Sequence, residues 1–287
     1  MRLETQVVDA PDGVQLFVRS YWPDQYEPTR TVYWVHGVGE HGGRYEHIAR
    51  EFTSRGWRLI LADLRGHGRS TGVRTHVRSF DEYSDDMLRI WEKLDLVQTP
   101  PVLLGHSMGG LVVVRALQTG RVAPSSLILS SPLLGLKLHI NPVSVFLGSM
   151  LVRVIPTARF SNGIDPTNMT RDSEFAAIRR EDTLINKTVT AGWYFAMRDA
   201  LSAGQRDALK VTLPVLSLQG SLDQTTDPAA MADWWERIRS TDKTLMVLED
   251  HLHELFFESD WQQTTMQLLD WLDHQQVRSS QLDLKER

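Results

Sequence analysis

The chain has 287 residues, 41% of them hydrophobic and 23% charged, with a formal net charge of −5 and a pI near 6.1. That balance is expected of a soluble globular protein and offers no basic surface to a polyphosphate backbone, so nucleic acid is not an expected partner. There is no cysteine, which excludes disulfides, thiolate metal sites and thiol nucleophiles together.

TQVVDAPDGVQLFVRSYW (Thr5 to Trp22) reads as two strands joined at Pro11-Asp12-Gly13, a hairpin signal. Thr31 to Gly37 is a β-rich run ending in glycine, and Arg44 to Arg55 has helical spacing. A strand from Trp57 to Ala62 leads into the glycine-punctuated loop RGHGRSTG. Asp81 to Leu96 reads as a helix. PVLL is a short buried strand, and Gly110 to Gln118 a helix. SSLILSSP is another strand. After Pro132 the rhythm changes: residues 133–209 hold helical patches and loop signals but no clear strand. Pro214 to Gly220 resumes the alternation. Asp227-Pro228 starts a helix running to about Arg239, TLMVLED is a last strand, and Asp260 to about Gln275 a last helix. The polar tail VRSSQLDLKER is expected to fray. Strands alternating with helices predict an α/β fold with a mostly parallel sheet covered on both faces. Residues 133–209 read as a helical cap inserted in a core of residues 1–132 and 210–287.

MRLETQVVDAPDG has no basic segment followed by an apolar run and a small-residue cleavage site, so the expected location is cytoplasmic. The most apolar long segment, Ile140 to Pro156, carries Arg153 and ends in proline. It is too short and interrupted to span a bilayer.

Chemistry concentrates at GHSMG, Gly105 to Gly109. A G-x-S-x-G pattern alone is weak, but here a strand precedes it and a helix follows, the context of a nucleophile elbow. The glycines leave room for a strained turn that holds Ser107 outward. The Met108 N–H and the helix N-terminus then point at the reaction centre. Serine needs a base to take its proton and a carboxylate to orient that base. On this fold the acid should follow the strand after the insertion and the histidine should follow the last strand. Asp223 and Asp227 occupy the first place. Asp227 stands directly before Pro228 and a helical pattern, so it reads as an N-cap, which leaves Asp223 as the acid. His251 and His253 both occupy the second place.

Four segments carry a resemblance: HGVGEHGGRYEHIA, DLRGHGRSTG, GHSMGG, and GSLD with HELFFE, together running from residue 36 to 258. In these the chain resembles the α/β-hydrolases of the monoacylglycerol lipase and lysophospholipase family, grouped with the serine aminopeptidase-like hydrolases. The resemblance implies the α/β-hydrolase fold, with a mostly parallel eight-stranded sheet, helices on both faces and an inserted helical cap. It implies Ser107 as nucleophile, Asp223 as triad acid and His253, in HEL-x-x-E, as triad histidine. It implies an oxyanion hole made by the backbone N–H groups of Val38 and Met108; Val38 stands where the family often has a smaller residue. The substrate class it implies is a monoacylglycerol or lysophospholipid, with no cofactor and no metal.

Other readings use the same residues. An aminopeptidase or amide hydrolase shares the triad and would need an acidic cap residue to read a free amino terminus; Glu174, Glu181 and Asp182 are candidates. A non-catalytic ligand-binding protein of this fold would not need Ser107, Asp223 and His253 together. His36, Glu40, His41 and His47 lack the spacing of a zinc helix motif, and Glu40 and Arg44 are expected to buttress the oxyanion loop by hydrogen bonds. RGHGRSTG lacks the continuation of a dinucleotide fingerprint. INPVSVFLGSMLVRVIP reads as cap core, with an acyl tunnel and a lip touching membrane or micelle surfaces as the sharper alternative. Trp193, Tyr194 and Phe195 are expected either to line that pocket or to pack the cap.

Overall fold

Period-two alternation along each strand decides which side chains meet which helix layer. In the computed structural model, which describes residues 1–24, 28, 30–137, 148–150 and 152–285 with side chains to residue 275, the central strand β3 (Thr31–Val35) shows this directly. Val32 and Trp34 pack on one side with α1 (Glu46–Ser54) and α7 (Trp261–Lys285), through Ile48, Phe52, Leu268 and Leu272. Tyr33 and Val35 face the other side, against Tyr83 and Met87 of α2 (Asp81–Lys93) and Leu111 of α3 (Met108–Gln118). A sheet buried on both faces needs apolar residues at every strand position, and β4 (Arg58–Ala62) and β5 (Val102–His106) are buried throughout.

The remaining sheet strands are β1 (Arg2–Asp9), β2 (Gln15–Trp22), β6 (Leu127–Ser130), β9 (Val215–Gly220) and β10 (Lys243–Leu248). The eight run in the order β1-β2-β4-β3-β5-β6-β9-β10. β2 is antiparallel to β1 and β4, and the other pairings are parallel. The eight-stranded, mostly parallel sheet is the one expected. Its register aligns Val35 with Gly105, His106 with Ser130, Ser130 with Leu218, and Gly220 with Leu248. Val35 also stands opposite Ala62, so the carboxyl ends of six parallel strands meet along one edge, where open α/β sheets place their sites.

Between β6 and β9 the chain forms a cap with two described helices, α4 (Ser173–Glu181) and α5 (Ala191–Arg206). It also forms an antiparallel ribbon of β7 (Arg159–Ser161) and β8 (Thr188–Thr190), where no strand was expected. Three residues per strand are too few to register as alternation. The segment Ile140 to Pro156 lies mostly outside the described residues. After β9, α6 spans Pro228–Arg237. The tail expected to fray instead continues α7 to Lys285; it contains neither glycine nor proline, so nothing in its backbone stops the helix. Among the described residues no helix is long and apolar enough to cross a membrane.

Candidate active site

Ser107 sits between β5 and α3 with φ 53° and ψ −119°, a region that costs a non-glycine residue about 1–3 kcal/mol. Its neighbours over-determine that conformation. The Ser107 N–H donates to Ser130 O at 3.0 Å, and its carbonyl accepts from the N–H groups of Gly110 and Leu133, each at 2.9 Å. Gly109 permits the tight start of α3: a Cβ there would stand 2.1 Å from Val35 O. Met108 opens α3 and is fully buried.

Asp223 follows β9, and His253 lies in the loop after β10. The His253 Nδ1–H donates to Asp223 Oδ2 at 2.9 Å. Both are buried, at 3% and 4% exposure for His253 and Asp223. Asp223 is saturated with donors: Thr225 N–H at 2.7 Å and Thr226 N–H at 3.3 Å to Oδ1, and Thr226 Oγ1 at 2.8 Å and Gln219 Nε2 at 3.0 Å to Oδ2. Burial opposes its charge, but His253 and these donors outweigh it and hold the carboxyl well below the usual range. His251 turns away, its Nδ1–H donating to Glu249 O at 2.8 Å while Nε2 lies 3.1 Å from Asp260 Oδ1. Asp227 caps α6, accepting from Ala229 N–H at 2.9 Å. The histidine loop lies directly on the end of β9, where a Cβ on Gly220 would stand 2.2 Å from Leu252 O.

The Gly37–Glu40 loop approaches Ser107 from β3; a Cβ on Gly37 would lie 3.2 Å from Ser107 Cβ. Glu40 does buttress this loop. Its Oε1 accepts from Gly37 N–H at 2.6 Å and Tyr45 OH at 3.0 Å, and its Oε2 from Arg44 Nη1 at 2.6 Å. Burial again opposes the charge, and the Arg44 guanidinium outweighs it and holds Glu40 ionised. His36, His41 and His47 are each committed separately, to Leu64 N–H and Gly37 O, to Asp182, and to Phe256 O. His106, preceding the serine, packs its ring 5.0 Å from that of His253. Burial pushes it down to about 4, so it stays neutral.

Three residues escaped the sequence reading. Glu254, next to His253, receives both guanidinium nitrogens of Arg44 at 2.8 and 2.7 Å, and Arg179 of α4 at 2.6 Å. Glu258 accepts from Leu252 N–H at 2.9 Å and from Arg171 N–H in the cap at 3.1 Å. The available signal was two carboxylates flanking the apolar Leu255-Phe256-Phe257, since a charge in an apolar run needs a buried partner. Nothing local named Arg179 as that partner.

A cavity of about 360 Å³ opens onto Ser107 and Val38. Leu133 and Leu136 line its core side, and Phe160, Ile164, Trp193, Phe195 and Met197 its cap side. Tyr194 also lines it, so all three consecutive aromatics of α5 reach the pocket. Ser161, Asn162 and Thr225 add polar groups, and no charged side chain lines it among the described residues. Asp182 is committed elsewhere, to His41 Nε2 at 2.8 Å and Leu184 N–H at 2.8 Å.

Comparison with known proteins identifies the family. The family profile described as serine aminopeptidase, S33, matches residues 26–260. An abhydrolase domain-containing protein of Dictyostelium discoideum is 31% identical over 258 residues, 88% of this chain but 27% of that protein's length. Phospholipase YtpA of Bacillus subtilis is 29% identical over 81% of this chain and 91% of its own. The crystal structure of Paleococcus ferrophilus monoacylglycerol lipase superposes with a TM-score of 0.80 at 28% identity, covering 96% of this chain and all of that one. The chain therefore belongs to the serine aminopeptidase S33 family, as an α/β-hydrolase of the esterase and lipase type.

Proposed function

We propose that the protein hydrolyses carboxylic esters bearing an acyl tail, monoacylglycerols or lysophospholipids, through an acyl-enzyme on Ser107. The observation that carries this reading is the apolar cavity ending at Ser107, with no charged wall to hold an amino terminus among the described residues. The names of two relatives, a phospholipase and a monoacylglycerol lipase, support the same substrate class. Exposed apolar residues on the cap, Val154, Ile155 and Phe160, support transient contact with a lipid surface.

In the first step Ser107 Oγ attacks the ester carbonyl while His253 Nε2 accepts its proton. Asp223 fixes the tautomer through Nδ1 and stabilises the imidazolium. The N–H groups of Val38 and Met108 receive the oxyanion, contacts worth about 3–4 kcal/mol per donor. His253 then protonates the leaving alcohol, and in the second step it activates water to release the acid.

The test is hydrolysis of 1-monoacylglycerols, a lysophosphatidylcholine and p-nitrophenyl esters across acyl lengths, with wild type and Ser107→Ala. Activity that rises with acyl length and falls at least about 1000-fold in Ser107→Ala supports the reading. Activity confined to the shortest esters would remove the lipid assignment, and activity kept by Ser107→Ala would remove the mechanism.

A further inference from the structure

Glu40, Arg44, Arg179 and Glu254 form a cluster of buried charged side chains beside the proposed triad without belonging to it. They come from three places. Glu40 and Arg44 belong to the loop and turn after β3, Glu254 follows His253, and Arg179 comes from cap helix α4. Arg44 bridges the two carboxylates, at 2.6 Å from Glu40 and 2.8 and 2.7 Å from Glu254. Arg179 supplies the second cation, 2.6 Å from Glu254 Oε1. The cluster is electrically balanced only while the cap is docked, because its second positive charge is the cap's.

The same stretch of cap grips both loops. Asn186 N–H donates to Gly39 O at 2.7 Å, one residue past Val38, and Asp182 accepts from His41 at 2.8 Å. Glu254 N–H donates to Met169 O in the cap at 2.7 Å. Breaking a buried charge set by removing one partner is far costlier than breaking a surface pair, since it leaves an uncompensated ion.

We infer that Arg179 is a positioning residue through which the docked cap holds the His253 loop and balances the charge behind it. The inference rests on the proposed roles of Ser107, Asp223 and His253. Arg179 does not line the cavity, so its effect should appear in turnover rather than in substrate affinity. Among the described residues, Asp223 accepts from His253 Nδ1, the neutral ring of His106 packs 5.0 Å from its ring, and Glu254 follows it in the chain with its carboxylate on Arg44 and Arg179.

The variants are Arg179→Met, Glu254→Gln and the double variant, assayed on a long-chain 1-monoacylglycerol and on p-nitrophenyl acetate, with Ser107→Ala alongside. Arg179→Met leaves one net negative charge beside His253, which favours the imidazolium. The acidic limb of the kcat/KM profile should move up by about 0.5–1 pH unit, with kcat about 10-fold lower on both esters and KM within about two-fold. Glu254→Gln leaves one net positive charge and should move the limb down; the double variant should return it towards wild type. A merely structural residue would lower the thermal midpoint without opposite shifts. Limbs that coincide with wild type in both single variants, or a loss confined to KM for the long ester, would overturn the inference while an inert Ser107→Ala kept the proposed function intact. An active Ser107→Ala would overturn both.

Discussion

Gly109 shows how closely the nucleophile turn is built against its neighbour strand. A single methyl group there would meet Val35 O at 2.1 Å and His36 O at 2.6 Å, and backbone carbonyls of a central strand have nowhere to go. Gly109→Ala should destabilise the fold by about 3 kcal/mol and displace Ser107, so that the urea midpoint and activity fall together. Gly120 is the contrast. It has φ +70° with open space around it, so Gly120→Ala should cost only about 1–2 kcal/mol of backbone strain and leave activity intact. Equal losses in the two variants would show that crowding at Val35 is not what selects glycine. The residues around Ser107 were legible because glycine, serine and strand-turn-helix context fall within a few positions. Arg179 was not, because its partner Glu254 is 75 positions away and an arginine in an amphipathic helix looks the same whether it meets water or a buried carboxylate.

At the scale of elements, Asp223 and Asp227 stand four residues apart and carry different burdens. Asp227 accepts from Ala229 N–H at the start of α6 with Pro228 at the first helical position. Asp223 accepts from His253. Asp227→Ala should therefore cost about 1 kcal/mol of stability with ester hydrolysis unchanged. Asp223→Ala should lower kcat by a factor of about 10⁴ in a folded protein. Paired thermal melts and rates separate the two; loss of activity in Asp227→Ala would mean that α6 does more than end in a cap. The cap signal was readable from Asp-Pro before a helical run, the first two sheet strands from the hairpin signal at Pro11-Asp12-Gly13, and the other six from their β-rich or apolar runs. The ribbon of β7 and β8 was not, since six residues in two pieces 27 positions apart (Ser161 to Thr188) carry no periodicity, and their pairing depends on a cap whose core is assembled from distant segments. Local spacing left His251 and His253 open, and the resemblance carried by HEL-x-x-E pointed to His253. Two residues apart in one loop, they differ in partner: His253 meets Asp223, and His251 meets Glu249 O and Asp260.

For the molecule as a whole, the edge where six parallel strands end buries titratable groups that oppose acid. His67 and His106 are fully buried and neutral, burial pushing them down to about 3 and about 4 from an ordinary 6.5; His36 is lowered by the same cause. A histidine with a depressed native value takes up a proton on unfolding at any pH below its unfolded value. Its contribution is complete above pH 6.5 and declines as pH falls towards the native value, at about 1.4 kcal/mol per pH unit for each proton. For His106 the difference between 6.5 and about 4 amounts to roughly 3 kcal/mol. The carboxylates act in a separate window. Asp63, Asp223 and Glu254 are held ionised against burial by Arg19, by His253, and by Arg179 with Arg44, so their contribution persists down to about pH 4 and is lost only below it. The free energy of unfolding should thus be level above pH 7, decline between 6.5 and 4 through the histidines, and fall further below 4 through the carboxylates. His106→Gln removes one proton from the first window and none from the second. Urea unfolding at pH 7.5, 6.0 and 5.0 should show a slope shallower by about one proton in the variant. Parallel slopes would mean that the ring behind the serine is already charged in the folded protein, and that the neutral wall it presents to His253 does not exist.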